Sequence, residues 1–543
     1  MTQQDNRRDL LKAGVQIGCA GALAALCGPV GPLFADEPDV EPAALAAERE
    51  RRKWRRRRLI MNNDGCDAMV AGADTLEGFL SQRDRPILNS QVDSIFYCTG
   101  ATTMFTHQAQ VGETYGSFVR DDSEAMARHA RHNISALHQL GHDTLAATAQ
   151  FCHEHDLEVF FTHRINDIHD TSLDWERSTW KREHPEYWIT TQEDAAQAGG
   201  GNSPRHWWSA LDFAKPEVLD YLYAIQRDVT SRYDLDGVEI DYFRSPMFFQ
   251  PNLDYEPATS AQVEILTAFQ RQMRTIAYRA GTKRGRPLLM STRVPATPGC
   301  CRHVGIDIER WLQEGLLDVL TVGGGYVPFT EPLDEMVALA RQYKVPIYAT
   351  ISASGMKPPY NIDEAWRGAA ANMWHAGVDG IVLFNYFPSE PTARINEIGS
   401  PETLRGLDKV FAIDQRRILE GDLVQGIEQR QVLPIPIPAD GSAATAILPI
   451  GDDLAAAGRD GRLQSAELWI ELNNADALSD TQVDLNGQRL TAAGTEGAWI
   501  RFDPQPNQYR LGSNVLAVRA GNAVANTESL ADIVHVETRV KYG

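Results

Sequence analysis

Glu239 and Asp241 stand two positions apart in Asp236-Gly237-Val238-Glu239-Ile240-Asp241-Tyr242, with apolar residues between and before them. In an extended strand Val238 and Ile240 share one face, and the two carboxyl groups share the other. Acids facing a packed interior are costly unless they are paired or put to use. The use that suits two carboxyl groups is glycosidic hydrolysis: one protonates the leaving oxygen, and the other attacks the sugar or activates water. A two-residue offset is ~6.6 Å along a strand, but both groups then approach a substrate from the same side. Asp241 is read as nucleophile or base, with Glu239 either tuning it or donating the proton. The opposing acid would come from another strand end, Asp64 or Asp167, or from a loop at Glu331 or Glu390. The competing explanation is an internal ion pair in which Arg293, on the next strand, neutralises both acids.

The elements needed to hold such a pair are legible. Apolar runs at Arg58–Asn62, Ser94–Thr99, Glu158–His163, Gly237–Tyr242, Leu288–Val294, Val319–Gly323, Pro346–Ser352 and Gly380–Phe387 alternate with helical patterns. The helical patterns include Ile134–His155, Pro216–Tyr233, Ala261–Ala280, Ile306–Glu314, Leu333–Tyr343 and Asp363–His375. The fold class expected is α/β: a (β/α)8 TIM barrel over 58–420, with a doubly wound open sheet as its rival. In a barrel the site lies at the C-terminal strand ends. That rule gathers Asn62 and Asp64, then His163, Arg164, Asn166 and Asp167, then Arg244, Arg293, Tyr326, Asn385 and Tyr386 as substrate-binding candidates. A guanidinium fork such as Arg164 suits a sulfate or uronate. His163, Asp167 and His169 are alternative cation ligands, but their spacing fits no standard zinc motif, so no metal or cofactor is expected. The connection from Asp167 to Ala214 is long and holds Trp175, Trp180, Trp188, Trp207 and Trp208. Trp207 and Trp208 are candidates for stacking on sugar rings, or for a small satellite core beneath the loop.

Leu211-Asp212-Phe213-Ala214-Lys215-Pro216-Glu217-Val218, continuing through Tyr233 to Arg244, resembles the family-10-like glycosyl hydrolases of bacteria. His184-Pro185-Glu186-Tyr187-Trp188 is similar to another phrase of that group. The resemblance implies a barrel acting on a polysaccharide or glycan. The segment Asp236–Phe243 is also similar to the chitinase strand motif D-x-x-D-x-D-x-E. Here Phe243 stands where that motif has its acid, and Glu239 replaces an Asp.

Around Val432–Pro438 the helical periodicity stops. A Pro-rich linker is expected over 421–445, followed by an all-β, jelly-roll-like sandwich over 446–543 with its own core. At the other end, Arg7-Arg8 precedes a weakly apolar stretch from Ala13 to Phe34, and residues 1–35 resemble a twin-arginine signal. A charged, solvated lead-in is expected over 36–57. The expected location is periplasmic or extracellular, reached through the twin-arginine export machinery. Replacing Arg7 and Arg8 by Lys should leave the protein in the cytoplasm on fractionation; undiminished export of that variant would remove the twin-arginine reading. A formal charge of −21 disfavours nucleic acid as a partner, and no apolar run beyond the signal is long enough for a membrane span. Cys66, Cys98, Cys152, Cys300 and Cys301 form no disulfide framework, the last two being read as loop thiols. The leading function is an exported glycoside hydrolase; a non-catalytic glycan-binding barrel and a metal-dependent hydrolase are the alternatives.

Overall fold

The computed structural model describes residues 41–117, 124–198, 203–415, 433–474, 481–520 and 529–543. The twin-arginine segment 1–35 and residues 421–432 of the expected linker lie outside the described residues. Among the described residues no helix is long and apolar enough to cross a membrane.

Eight parallel strands close into a barrel in chain order: β1 (Leu59–Asn63), β2 (Val92–Cys98), β3 (Glu158–Arg164), β4 (Gly237–Asp241), β5 (Leu289–Val294), β6 (Val319–Val322), β7 (Ile347–Ser352) and β8 (Gly380–Phe384). The (β/α)8 barrel expected from the alternating pattern is therefore the fold, and the open sheet is excluded. Period two sends Ile60, Phe96, Phe160, Leu289, Val319, Tyr348 and Val382 inward as one apolar layer that fills the lower barrel. Gly237 is required there, because a Cβ at that position would stand 2.2 Å from the Phe160 ring. The intervening residues face the helix layer and join the main core. The helical pattern read as one element over Ile134–His155 is two helices, Ala125–Gln139 and Thr144–Glu154. Gly141 turns the chain between them at φ 82°, and Asp143 caps the second helix by accepting from Ala146 N.

The basic run read as a solvated lead-in forms part of the barrel floor. It is the helix Ala43–Lys53, and Arg49 pairs with Asp318 at 2.5 Å. Arg57 is fully buried and forks Glu158 at 2.5 and 2.8 Å. Cys300 and Cys301 likewise sit in a short helix, Pro298–His303, and are buried.

The C-terminal region is antiparallel and two-layered. One sheet runs β9 (Lys409–Ala412), β18 (Ser529–Tyr542), β12 (Leu463–Leu472), β16 (Trp499–Phe502), β15 (Ala492–Glu496), with β10 (Ile435–Pro438) also pairing β18. The other runs β11 (Ala444–Ile450), β17 (Gly512–Ala520), β13 (Thr481–Leu485), β14 (Gln488–Arg489). Strand β9 precedes the boundary expected at 420, and β10 falls within the stretch read as linker. Val410 of β9 packs on the barrel helix Asp363–Ala376, where a Cβ on Gly368 would come within 1.9 Å of the Val410 carbonyl oxygen. One hydrophobic cluster runs unbroken from barrel to sheets. A fragment ending near Gln431 would leave β9 without β18 and expose that packing. It should be insoluble; a soluble, cooperatively melting fragment would show that the barrel stands alone.

Candidate active site

Above the apolar layer the barrel interior turns polar. Glu239 faces the axis as period two requires, and it is 1% exposed. It accepts from Thr162 at 3.0 Å, Thr321 at 2.9 Å and Ser291 at 3.5 Å. Burial, and then the neighbouring Asp241 charge, push its carboxyl up to about 7. One layer higher Arg164, Asp241 and Arg293 stand in register on β3, β4 and β5. Asp241 also points inward, but it departs from the role expected of it. Arg293 forks it at 2.9 and 2.8 Å, and the Phe243 and Arg244 amides donate to it at 3.0 and 2.9 Å. Three of these donors meet Oδ1 and one meets Oδ2, and Asp241 is 0% exposed. Oδ1 is fully engaged, and Oδ2 is tied to Arg293. Arg293 in turn lies over the Phe384 ring at 4.1 Å, and its Nη1 carries no hydrogen bond.

The groups nearer the opening come from β1 and from the loop after β3. Asp64 is bridged by Arg83, whose guanidinium sits 3.5 Å over the Phe387 ring. Burial opposes the Asp64 charge, but Arg83 and Arg164 hold its carboxyl below the usual range. Asp167 Oδ1 accepts from His169 Nδ1 at 2.7 Å, while Oδ2 has Arg164 at 3.5 Å and Arg244 at 3.8 Å and no hydrogen bond. Against its burial, His169, Arg164 and Arg244 hold the Asp167 carboxyl far below the ordinary value. Arg244 donates to His169 Nε2 at 2.7 Å. A guanidinium has only donors, so Nε2 is the bare nitrogen and Nδ1 carries the proton given to Asp167.

Glu176, half-buried in the loop, completes the group: one oxygen of Glu176, one of Asp167 and a His169 nitrogen lie within 4.8 Å of one another. Burial, with the Asp167 and Asp170 charges adding to it, pushes the Glu176 carboxyl up to about 7. Such distances would admit a divalent ion. The two guanidinium groups on Asp167, and the Arg244 hydrogen bond that occupies His169 Nε2, oppose one.

Several expected site residues have other work. His163 faces the helix layer, bonded to Gln226 at 3.0 Å and to the Thr102 carbonyl at 2.8 Å. Adjacent strand residues cannot both face inward, and Arg164 takes the inner position; the trio His163, Asp167 and His169 is therefore not a ligand set. Asn166 pins the long loop, donating to the Leu211 carbonyl at 3.1 Å and to the Met247 carbonyl, and accepting from Leu211 N at 2.7 Å. Trp208 is buried, edge-on to Trp188 at 5.1 Å with Arg177 above it. Trp207 packs beside a small cluster of Ile189, Ala210, Met247, Leu253 and Cys300. The satellite core describes both tryptophans. Tyr386 bonds Thr392 at 2.9 Å and packs on Trp366, bracing the β8 loop. Glu331 is buried against Gly323, and Glu390 is exposed on a loop. Asn62 does face inward, with Oδ1 carrying no hydrogen bond. Tyr326 is half-buried with its ring 6.5 Å from Phe243, and Asn385 turns the chain at φ 52° after β8. No motif or spacing along the sequence singles out Glu176, Arg83 or Phe387. Only the tryptophan-rich loop around Glu176 marked its neighbourhood.

No curated protein matches the chain significantly. Among solved structures, the PgaB (BpsB) glycoside hydrolase domain from Bordetella bronchiseptica is 11% identical, with 64% of this chain and 96% of that one covered and a TM-score of 0.37. Alpha-L-fucosidase isoenzyme 2 from Paenibacillus thiaminolyticus is 14% identical over 64% of this chain and 48% of its own, TM-score 0.39. A family 18 N-acetylglucosaminidase from Paenibacillus barengoltzii is 11% identical over 63% and 98%, TM-score 0.34. In agreement with the resemblance carried by Leu211–Arg244, residues 110–269, which supply β3, β4 and the loop bearing Asp167 and Glu176, match the family Glycosyl hydrolase-like 10.

Proposed function

We propose that the protein is an exported glycoside hydrolase in which Glu176 is the proton donor and Asp167 the partner carboxylate. The reading is carried by two carboxyl groups within 4.8 Å beside the barrel opening, one half-open and the other 2% exposed with a buried oxygen that carries no hydrogen bond. That spacing is of the order of the ~5–5.5 Å between carboxyl groups in retaining enzymes. Glu176 gives its proton to the glycosidic oxygen as the C–O bond breaks, and the leaving sugar departs as an alcohol. Asp167 Oδ2 bonds to the anomeric carbon. Glu176, now a carboxylate, then takes a proton from water, which displaces Asp167. Arg164 and Arg244 keep Asp167 ionised, and His169 fixes its other oxygen.

In this reading Asp241 and Arg293 are positioning residues beneath the site. The test is product stereochemistry by NMR with a panel of oligosaccharides. Retention supports the pair; inversion would overturn it. The tie of Asp241 to Arg293 favours a second reading, a glycan-binding barrel without turnover, which predicts binding and no cleavage across the same panel.

A further inference from the structure

The loops after β6 and β7 leave the barrel opening and dock on the C-terminal sheet. Gly355 packs so closely on the β6 loop that a Cβ there would meet the Gly325 oxygen at 2.2 Å and Tyr326 Cα at 3.1 Å. Further along the same loop, the Tyr360 ring lies 5.2 Å from Phe329 and 6.4 Å from His535 of β18. Asp414, just past β9, accepts from the Phe329 and Thr330 amides at 2.9 and 2.8 Å. The loops at the opening thus pack against this sheet beside His535.

That face has a distinct composition. Leu468, Ile470, Ile500 and Val536 point into the sandwich and are buried. The alternating positions lie on the other face in two cross-strand rows: Trp499, Glu471 and His535, then Arg501, Trp469 and Glu537; Trp469 and Glu537 are covered, at 8% and 5% exposed. Trp499 is half-buried, nearly parallel to His535 (15°, 5.5 Å) and edge-on to Trp469 at 6.3 Å. Arg539 covers Trp469 at 4.4 Å. The half-buried Trp499 ring, flanked by Glu471, His535 and Arg501, suits a sugar: the ring meets a C–H face, and the mixed-sign flanks meet hydroxyls. The mixed sign suits an uncharged chain better than a polyanion.

We infer that the outer face of the C-terminal sheet, centred on Trp499 and His535, binds a neutral polysaccharide whose chain continues into the barrel opening. The inference rests on the glycan-directed reading of that opening, but it is tested apart from cleavage. The full chain is run in native gels cast with mixed-linkage β-glucan, xylan or soluble starch. Retardation is expected with at least one, weakened at least tenfold in Trp499→Ala. Turnover of a short oligosaccharide should stay within twofold in the same variant. On the unaltered protein, hydroxyl-radical oxidation of Trp499 should fall when the retarding polysaccharide is added. No retardation in any of the three gels, equal retardation of Trp499→Ala, or an unprotected Trp499 each overturns the inference. Retardation with Trp499 dependence but no cleavage would sustain the inference and sink the hydrolase reading. Cleavage without any Trp499 effect would do the reverse.

Discussion

Glu176→Gln should lower turnover by ~10²–10⁴-fold, the loss expected for a positioned proton donor, with the melting temperature unchanged. The amide has the shape and neutrality of the protonated acid, so the resting site is preserved while the proton is lost. The wild-type pH profile follows from the same group. With its carboxyl pushed up to about 7, Glu176 is protonated and competent below that pH, and turnover should fall as pH rises through it. Asp167, held far below the ordinary value, stays ionised throughout, so no acid limb is expected near neutrality. Glu239 also sits near 7, and Glu239→Gln separates the two. That variant should keep both the activity and the alkaline limb, because Glu239 lies below the Asp241 layer, bonded to barrel hydroxyls. If Glu239→Gln abolishes the limb while Glu176→Gln remains active, the proton donor is Glu239.

Strand positions were legible because barrel strands buried on both faces read as apolar runs, and β4 showed its inward acids through the apolar residues between them. Period two placed Glu239 and Asp241 correctly. Applied one strand earlier, it would also have separated His163 from Arg164. What the spacing could not convey was engagement: whether an inward acid is already tied up depends on turn amides and on a neighbour's fork, which no pattern along one strand encodes. Glu176 was hidden for a different reason. It lies in an irregular loop with no periodicity, and the contacts that place it beside Asp167 depend on how Asn166 and Asp170 tie that loop down. The basic run Arg49–Arg58 looked solvated because its partners, Asp318 and Glu158, are far off in sequence. Strand β9 was missed because a strand of four residues leaves little alternation to count.

Asp241→Asn is expected to cost about 3–5 kcal/mol of stability, the range for breaking a buried ion pair by removing one partner. The substitution leaves the Arg293 guanidinium charged and 1% exposed beneath Phe243 and Phe384. It also brings an NH2 group toward donors that all need acceptors: the Phe243 and Arg244 amides and two Arg293 nitrogens. Whichever way the amide turns, at least one donor loses its partner. Thermal and urea unfolding of the full chain should therefore report a large loss. Replacing both partners, as Asp241→Leu with Arg293→Met, should recover part of it, because no buried charge then remains unpaired. A catalytic nucleophile gives the opposite signature: a variant that melts like the wild type while turnover collapses. Observing that for Asp241→Asn would restore Asp241 as the attacking group and reduce Asp167 to its support. Observing the stability loss with partial rescue in the double variant would fix Asp241 as the anchor that holds Arg293 and the 243–244 turn under the site.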